Sequence, residues 1–277
     1  MKRYLLIVVV FFLLIGVSLS GHAQQDSSLQ LEKTNVVTGH YSSFSVDNMG
    51  NVYLLSLNGN QIKKVGPNGD SLAIFNDVKQ YGSIYSIDVS NPLKILLYYR
   101  DFSTIVVLDR FLNKINKIDL RQAGIMQVKA VCQSYDNQVW VFDQQDYKLK
   151  KVGENGAVLF SSDDFRVLFA NAPSPTSIID DDGSLYLYDD QQGWVVMDYY
   201  GAVKKEYKSP KWKNVGVQLG IMYGWSDKKL HLFNGNTFAL KDYAIPLDFE
   251  NIKTLLLLDR KMLVLDNEGV NIYNYKL

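Results

Sequence analysis

The chain is poor in the side chains that carry most protein chemistry. It has three histidines and one cysteine in 277 residues, and His22 falls in an N-terminal leader-like stretch. That leaves His40 and His231. A catalytic zinc needs three protein ligands, and two histidines far apart in sequence announce no such site. His231 alternates with Leu230 and Leu232, so on a strand it faces away from their side. A hydrogen-bonded structural histidine is the expected role. Serine catalysis needs a base beside the nucleophile. The sequence shows neither a Gly-x-Ser-x-Gly elbow nor a glycine-rich phosphate loop. Cys132 ends the strand-like run Val128-Lys129-Ala130-Val131-Cys132. A lone cysteine closes no internal disulfide, so a buried thiol is expected.

Acidic residues are densest at Asp180-Asp181-Asp182-Gly183. Asp180 and Asp182 are the candidate calcium ligands. The spaced ligands and closing glutamate of an EF-hand loop are missing, and Asp-Gly between strands is an ordinary hairpin turn. The turn is the preferred reading, and no cofactor is expected. The pairs Lys63-Lys64, Lys150-Lys151 and Lys204-Lys205 read as equivalent positions that guard sheet edges. A basic stripe for anionic lipid or glycan is the alternative. No catalytic constellation emerges, and a non-enzymatic protein is expected.

The elements that position these residues follow from a repeat. A turn rich in Asp, Asn or Gly precedes a short apolar strand at Val52, Ile95, Val139, Leu185, Leu230 and Met262. The intervals are 43, 44, 46, 45 and 32 residues. Intervals near 45 match one four-stranded propeller blade. The second half of the unit repeats as well, with Ile62-Lys63-Lys64-Val65-Gly66-Pro67-Asn68-Gly69 echoed by Leu149-Lys150-Lys151-Val152-Gly153-Glu154-Asn155-Gly156. Asn-Gly favours a tight hairpin because both residues accept positive φ. No stretch has a sustained 3.6-residue apolar period, so almost no helix is expected. The expectation is an all-β, six-bladed β-propeller of four-stranded blades, with five blades as the alternative. The last unit holds three strands. A ring must close or leave edges unpaired, and the alternating segment 29–37 is predicted to supply the missing strand. The short last interval is read as a thin fifth unit after Leu240.

Lys2 and Arg3 precede an uncharged apolar run from Tyr4 to Leu19, and small residues stand at Gly21 and Ala23. This is the plan of a secretory signal peptide over 1–23, followed by one propeller domain over 24–277. The apolar run is short for a membrane span, so no transmembrane span is expected after cleavage. Export to a periplasm, with peripheral association with the outer membrane, is the expected localisation. The whole chain is formally neutral, and removing Lys2 and Arg3 leaves a slight acidic excess. Nucleic acid is therefore not an expected partner.

The blade pattern, Leu-Tyr-Leu-Tyr-Asp-Asp or Val-Trp-Val-Phe-Asp followed by a polar turn and a strand ending in Gly, resembles NHL-repeat and related six-bladed propellers from about Phe44 to Leu277. The aspartate closing the strand is present at Asp143, Asp189 and Asp266, and is read as replaced by Ser56, Tyr99 and Asn234. The Trp-Asp signature of WD40 blades is missing. The resemblance implies a binding scaffold more often than an enzyme.

In a propeller, the loops joining second to third strands and those joining successive blades gather on one face. Two of the latter read as long, 163–175 and 209–218. Candidate partner-binding residues on this face are Tyr81, Arg100, Asp101, Phe102, Gln144, Asp146, Tyr147, Phe165, Arg166 and Trp212, since aromatic and Arg residues on loops are typical anchors. Trp212, between Lys211 and Lys213, is expected to be exposed. Phe165 is equally consistent with a plug between blades. The leading function is an interaction module or subunit of a cell-envelope complex for outer-membrane assembly or secretion. A glycan-binding protein and a propeller hydrolase or lyase are the alternatives.

Overall fold

The computed structural model describes residues 27–76, 80–209, 211–248 and 251–276. The leader read at 1–23 lies outside the described residues. Six sheets follow one another around a ring, each with four antiparallel strands in meander order. The first blade runs Tyr41–Val46, Val52–Ser56, Gln61–Val65, Ser71–Asn76; the second Ser86–Asp88, Ile95–Tyr99, Thr104–Leu108, Lys114–Asp119. The third runs Val128–Gln133, Val139–Asp143, Lys148–Val152, Val158–Ser161; the fourth Ser177–Asp181, Ser184–Asp189, Gly193–Met197, Val203–Tyr207. The fifth runs Lys213–Gln218, Ile221–Ser226, Lys229–Asn234, Ala239–Ala244; the sixth Thr254–Leu258, Lys261–Leu265, Gly269–Lys276, closed by Gln30–Thr38. The chain is a six-bladed β-propeller.

Burial explains which strands the repeat revealed. Second and third strands lie between two neighbouring blades, so both faces are covered. Ile95–Tyr99, Thr104–Leu108 and Val139–Asp143 are buried at every position, and apart from the terminal Thr104 and Asp143 they read as apolar runs. Outermost strands such as Val203–Tyr207 are exposed at four of five positions. Innermost strands of successive blades stand side by side around a channel.

Closure occurs as predicted, with one addition. Gln30–Thr38 pairs antiparallel along Gly269–Lys276, from Gln30 opposite Lys276 to Thr38 opposite Gly269. Just before it, Ser27–Ser28 pairs parallel with the outer strand of the fifth blade. The same segment therefore clasps the fifth blade and then completes the sixth. Leu29, between the two pairings, is fully buried with Trp225, Leu230, Tyr243 and Met262.

The fifth blade corrects the register. Its second strand is Ile221–Ser226, and Leu230 lies in its third strand. Met222 is thus the counterpart of Leu185. The blade is complete, and its shortness lies in its turns. Leu219-Gly220 have φ of 51° and 73°, and Asp227-Lys228 have 49° and 63°. Two-residue hairpins with both φ positive are the tightest connection between strands. The residue closing the second strand is therefore Ser226, where the sequence reading had placed Asn234. At this position Asp143, Asp189 and Asp266 each accept two backbone N–H bonds from their own following turn, as does Ser56. The repeating aspartate is a turn builder.

Helix is confined, among the described residues, to a 3₁₀ turn at Leu120–Ala123 and a single α turn at Phe165–Leu168. The lysine pairs are corrected too. Lys63-Lys64 and Lys150-Lys151 lie in third strands, whereas Lys204-Lys205 lies in an outermost one. Buried Lys64 donates to the Arg110 carbonyl of the next blade at 2.9 Å. Lys150 ties Asp143 (2.7 Å) to Asp146 (2.5 Å). Lys64 and Lys150 are internal ties, not edge guards, whereas Lys204-Lys205 is exposed on a sheet edge.

Tyrosine hydroxyls also tie the ring together. Tyr98 donates to Val128 O at 3.2 Å, Tyr188 to Ser209 O at 3.0 Å and Tyr223 to Leu257 O at 3.4 Å, each toward the next blade. Burial pushes all three phenols up to about 12. An unfolded tyrosine titrates near 10. The stability held by these neutral phenols is thus complete below pH 10 and is lost as pH rises from there toward 12. Tyrosinate absorbance and circular dichroism, followed together, should show these phenols ionising only as the fold is lost. Normal titration in a folded protein would contradict this.

Candidate functional site

The charged groups of the channel wall are held by internal partners. A cavity of about 370 Å³ lies among the innermost strands, with Asp88, Lys129, Cys132 and Asp180 on its wall. Asp88 accepts the Gln133 N–H at 2.7 Å. Lys129 donates to the carbonyl and hydroxyl of Ser174. Asp180 accepts from Tyr135 N–H and Trp140 Nε1 on one oxygen and from the Tyr199 hydroxyl on the other. Both oxygens of this calcium candidate are thus engaged by protein donors, while Asp182 sits in the hairpin turn at φ 43°. Among the described residues, no three His, Cys, Asp or Glu side chains converge as metal ligands. Cys132 is a buried thiol, and burial pushes its pKa up.

The face bearing the second-to-third-strand loops and the inter-blade connections brings seven of the ten candidates into one arc over the second and third blades. Arg100 lies over the Tyr85 ring, 3.3 Å from its centroid. Arg121 lies 5.7 Å from the Phe102 centroid and Arg166 5.1 Å from that of Tyr147. Ser103 bonds Met126 O, Gln144 N–H bonds Gln127 O and Arg166 bonds Asp146 O, so each loop is stitched to the adjoining connection. Asp101 and Phe102 lie against Gly82. Ser103 and Tyr147 hold positive φ, 45° and 56°, a conformation that costs of order 1 kcal/mol outside glycine. Phe102 is 40% exposed and Val167, on the α turn, is 82% exposed. The Asp164 carboxyl, which caps that turn and pairs with Arg166 at 2.6 Å, is held below the usual carboxylate range by the guanidinium. Val167 lies in the 163–175 loop already expected on this face, whereas sequence reading did not single out Tyr85, Arg121 or Met126, because only the fold brings their segments beside the arc.

Three candidates are buried. Tyr81 packs against Tyr99 and accepts a bond from Lys114. Phe165 is fully buried between Phe142 and Phe169, plugging the groove between the third and fourth blades. Trp212 is 8% exposed, which overturns the expectation of an exposed anchor. Its ring stacks on His231 at 5.1 Å and 9°. The loop read as 209–218 is short, because the strand begins at Lys213. Beside Trp212 a cavity of about 590 Å³ is lined by Tyr188, Asp190, Lys211, Lys213 and Lys253.

His231 is satisfied at both nitrogens, but its partners were not legible. Nδ1 meets Asp242 Oδ1 at 2.9 Å and Nε2 meets Ser226 Oγ at 2.8 Å. A serine with an adjacent base does therefore exist here, spread over three neighbouring strands.

No family model matches the sequence, and neither does any curated protein. Solved structures do match. The Pan2 WD40 domain of Neurospora crassa is similar with a TM-score of 0.63 at 9% identity, covering 91% of this chain and 97% of that one. Virginiamycin B lyase from Staphylococcus aureus gives 0.59 at 12%, covering 90% of each chain. The WD40 propeller domain of Doa1 gives 0.59 at 12%, covering 88% and 97%. A lyase and two WD40 domains share this architecture, so the likeness is one of fold: a closed β-propeller.

Proposed function

We propose that this protein is an exported interaction module that docks a protein partner of the cell envelope through the arc over its second and third blades. The observation that carries the reading is the row of three Arg–aromatic pairs, Arg100–Tyr85, Arg121–Phe102 and Arg166–Tyr147, set on stitched loops beside exposed Val167. Arginine and aromatic side chains dominate binding energy at interfaces, and pre-ordered loops lose less entropy on docking. The leader-like segment at 1–23 supports export, to a periplasm or the inner surface of an outer membrane. Docking through this arc calls for no chemistry at the channel.

Crosslinking and affinity capture from envelope fractions test the reading. Arg100→Ala is expected to weaken the captured complex about tenfold. The unfolding midpoint should barely move, since the residue is exposed and such changes cost within about 0.5 kcal/mol. A protein that stays monomeric and captures nothing, or a partner that ignores Arg100→Ala and Arg166→Ala alike, would sink the proposal.

A further inference from the structure

We infer that Ser226, His231 and Asp242 form a reactive serine centre of the acyl-transfer type, acting on carboxylic esters, in the groove between the fourth and fifth blades. Three observations carry it. The first is the hydrogen-bonded chain itself, Ser226 Oγ to His231 Nε2 at 2.8 Å and His231 Nδ1 to Asp242 Oδ1 at 2.9 Å. That is the order and spacing by which a base activates a serine and a carboxylate orients the base. His231 and Asp242 face each other across paired strands. Ser226 lies two residues from Gly224, the partner of His231 in the adjoining strand, and so on the same side of the sheet.

The second observation is the departure of Ser226 from its counterparts. At the equivalent position Ser56, Asp143, Asp189 and Asp266 turn back to hold their own loops. Ser226 bonds His231 instead, and its loop closes without it. Ser226, His231 and Asp242 are all partly exposed, at the end of the blade that faces solvent through the Asp227-Lys228 turn. Neither N–H of that turn has an acceptor among the described residues, and these two amides are the donors nearest in sequence for an oxyanion.

The third observation is Trp212. Its ring lies parallel to His231 at 5.1 Å and 9°, which fixes the plane of the imidazole between Ser226 and Asp242. Gly224 makes this possible, because a Cβ there would lie 2.8 Å from Trp212 Cβ.

The step balances without a cofactor. Ser226 Oγ bonds to the ester carbonyl carbon as its proton passes to His231 Nε2. The ester C–O bond breaks, and the alcohol leaves with that proton. Water then attacks the acyl carbon, gives a proton to His231, and the acid departs as Ser226 is reprotonated. Asp242 is a positioning residue.

An alkyl fluorophosphonate tests this on the intact, folded chain, because the probe forms a serine–phosphorus bond and releases fluoride only at an activated serine. One adduct per chain is expected, mapped to Ser226 by peptide mass spectrometry, with release of p-nitrophenol from p-nitrophenyl acetate blocked in parallel. His231→Gln should slow labelling about a hundredfold or more, and Asp242→Asn about tenfold or more. A folded wild-type chain unlabelled at Ser226 would overturn the inference without recourse to any variant. So would labelling of Ser226 at the same rate in folded His231→Gln.

Discussion

A chain beginning at Gly39 is expected to lose its cooperative unfolding transition and to aggregate at concentrations where the intact protein stays dispersed. The cause is the double clasp of 27–38. Without it Gly269–Lys276 becomes a bare edge carrying Val270, Ile272, Tyr273 and Tyr275, the kind of strand that pairs with other chains. The outer strand of the fifth blade loses its parallel partner as well. Opening the ring at one seam also removes the covering of the sixth blade, so the damage spreads beyond the missing strand. Leu29→Ala isolates the packing part. Its side chain is 1% exposed among Trp225, Leu230, Tyr243 and Met262, and such a truncation costs about 2–5 kcal/mol. Urea unfolding followed by circular dichroism should show a lower midpoint at an unchanged slope for Leu29→Ala. For the shortened chain it should show a broad, non-cooperative change. If the shortened chain unfolds at the intact midpoint, the clasp is not what closes the ring.

Most of this architecture was legible because its signal comes from the twice-covered strands. Residues 139–142 and 194–197 are buried on both faces and apolar at every position, and no surface choice dilutes them. The fifth blade misled for a physical reason. Ile221–Ser226 carries Gly224 in mid-strand, where Trp212 needs the space of a side chain. Lys229–Asn234, with Leu230, Leu232 and Phe233, looks more like the fourth blade's Leu-Tyr-Leu-Tyr run. Choosing it moved the register by one strand and hid Ser226 at the closing position. With Ser226 hidden, His231 had no visible partner. The arc was half legible. Arginines and aromatics on loops are visible in a sequence, but their pairings across blades, Arg121 with Phe102 for one, depend on the ring. Burial of loop aromatics was the least legible property. Tyr81 and Trp212 sit in polar stretches, yet each fills a seam between blades, as Phe165 does.

Trp212→Ala is accordingly expected to destabilise the fold by about 3–5 kcal/mol, whereas Arg100→Ala leaves the fold intact. The lysines on either side point to an exposed anchor on composition alone, but the contacts decide otherwise. The Trp212 ring is buried with Tyr188, Trp194, Tyr207 and Met222 between the fourth and fifth blades. The Trp212 backbone N–H donates to the Tyr188 hydroxyl at 2.6 Å, and that hydroxyl in turn holds Ser209 O. Removing the indole opens a cavity beside these groups and frees the His231 ring from its stack. Gly224→Ala should act on the same ring from the other side, because its new Cβ would lie 3.1 Å from Trp212 Cε3. The two changes strain one contact, so their costs should combine less than additively. Urea midpoints of the two single variants and the double variant measure this directly. A Trp212→Ala protein that unfolds at the wild-type midpoint would place the indole in solvent and return it to the docking face. A large loss of stability places it in the seam, with the ring supporting the histidine rather than a partner.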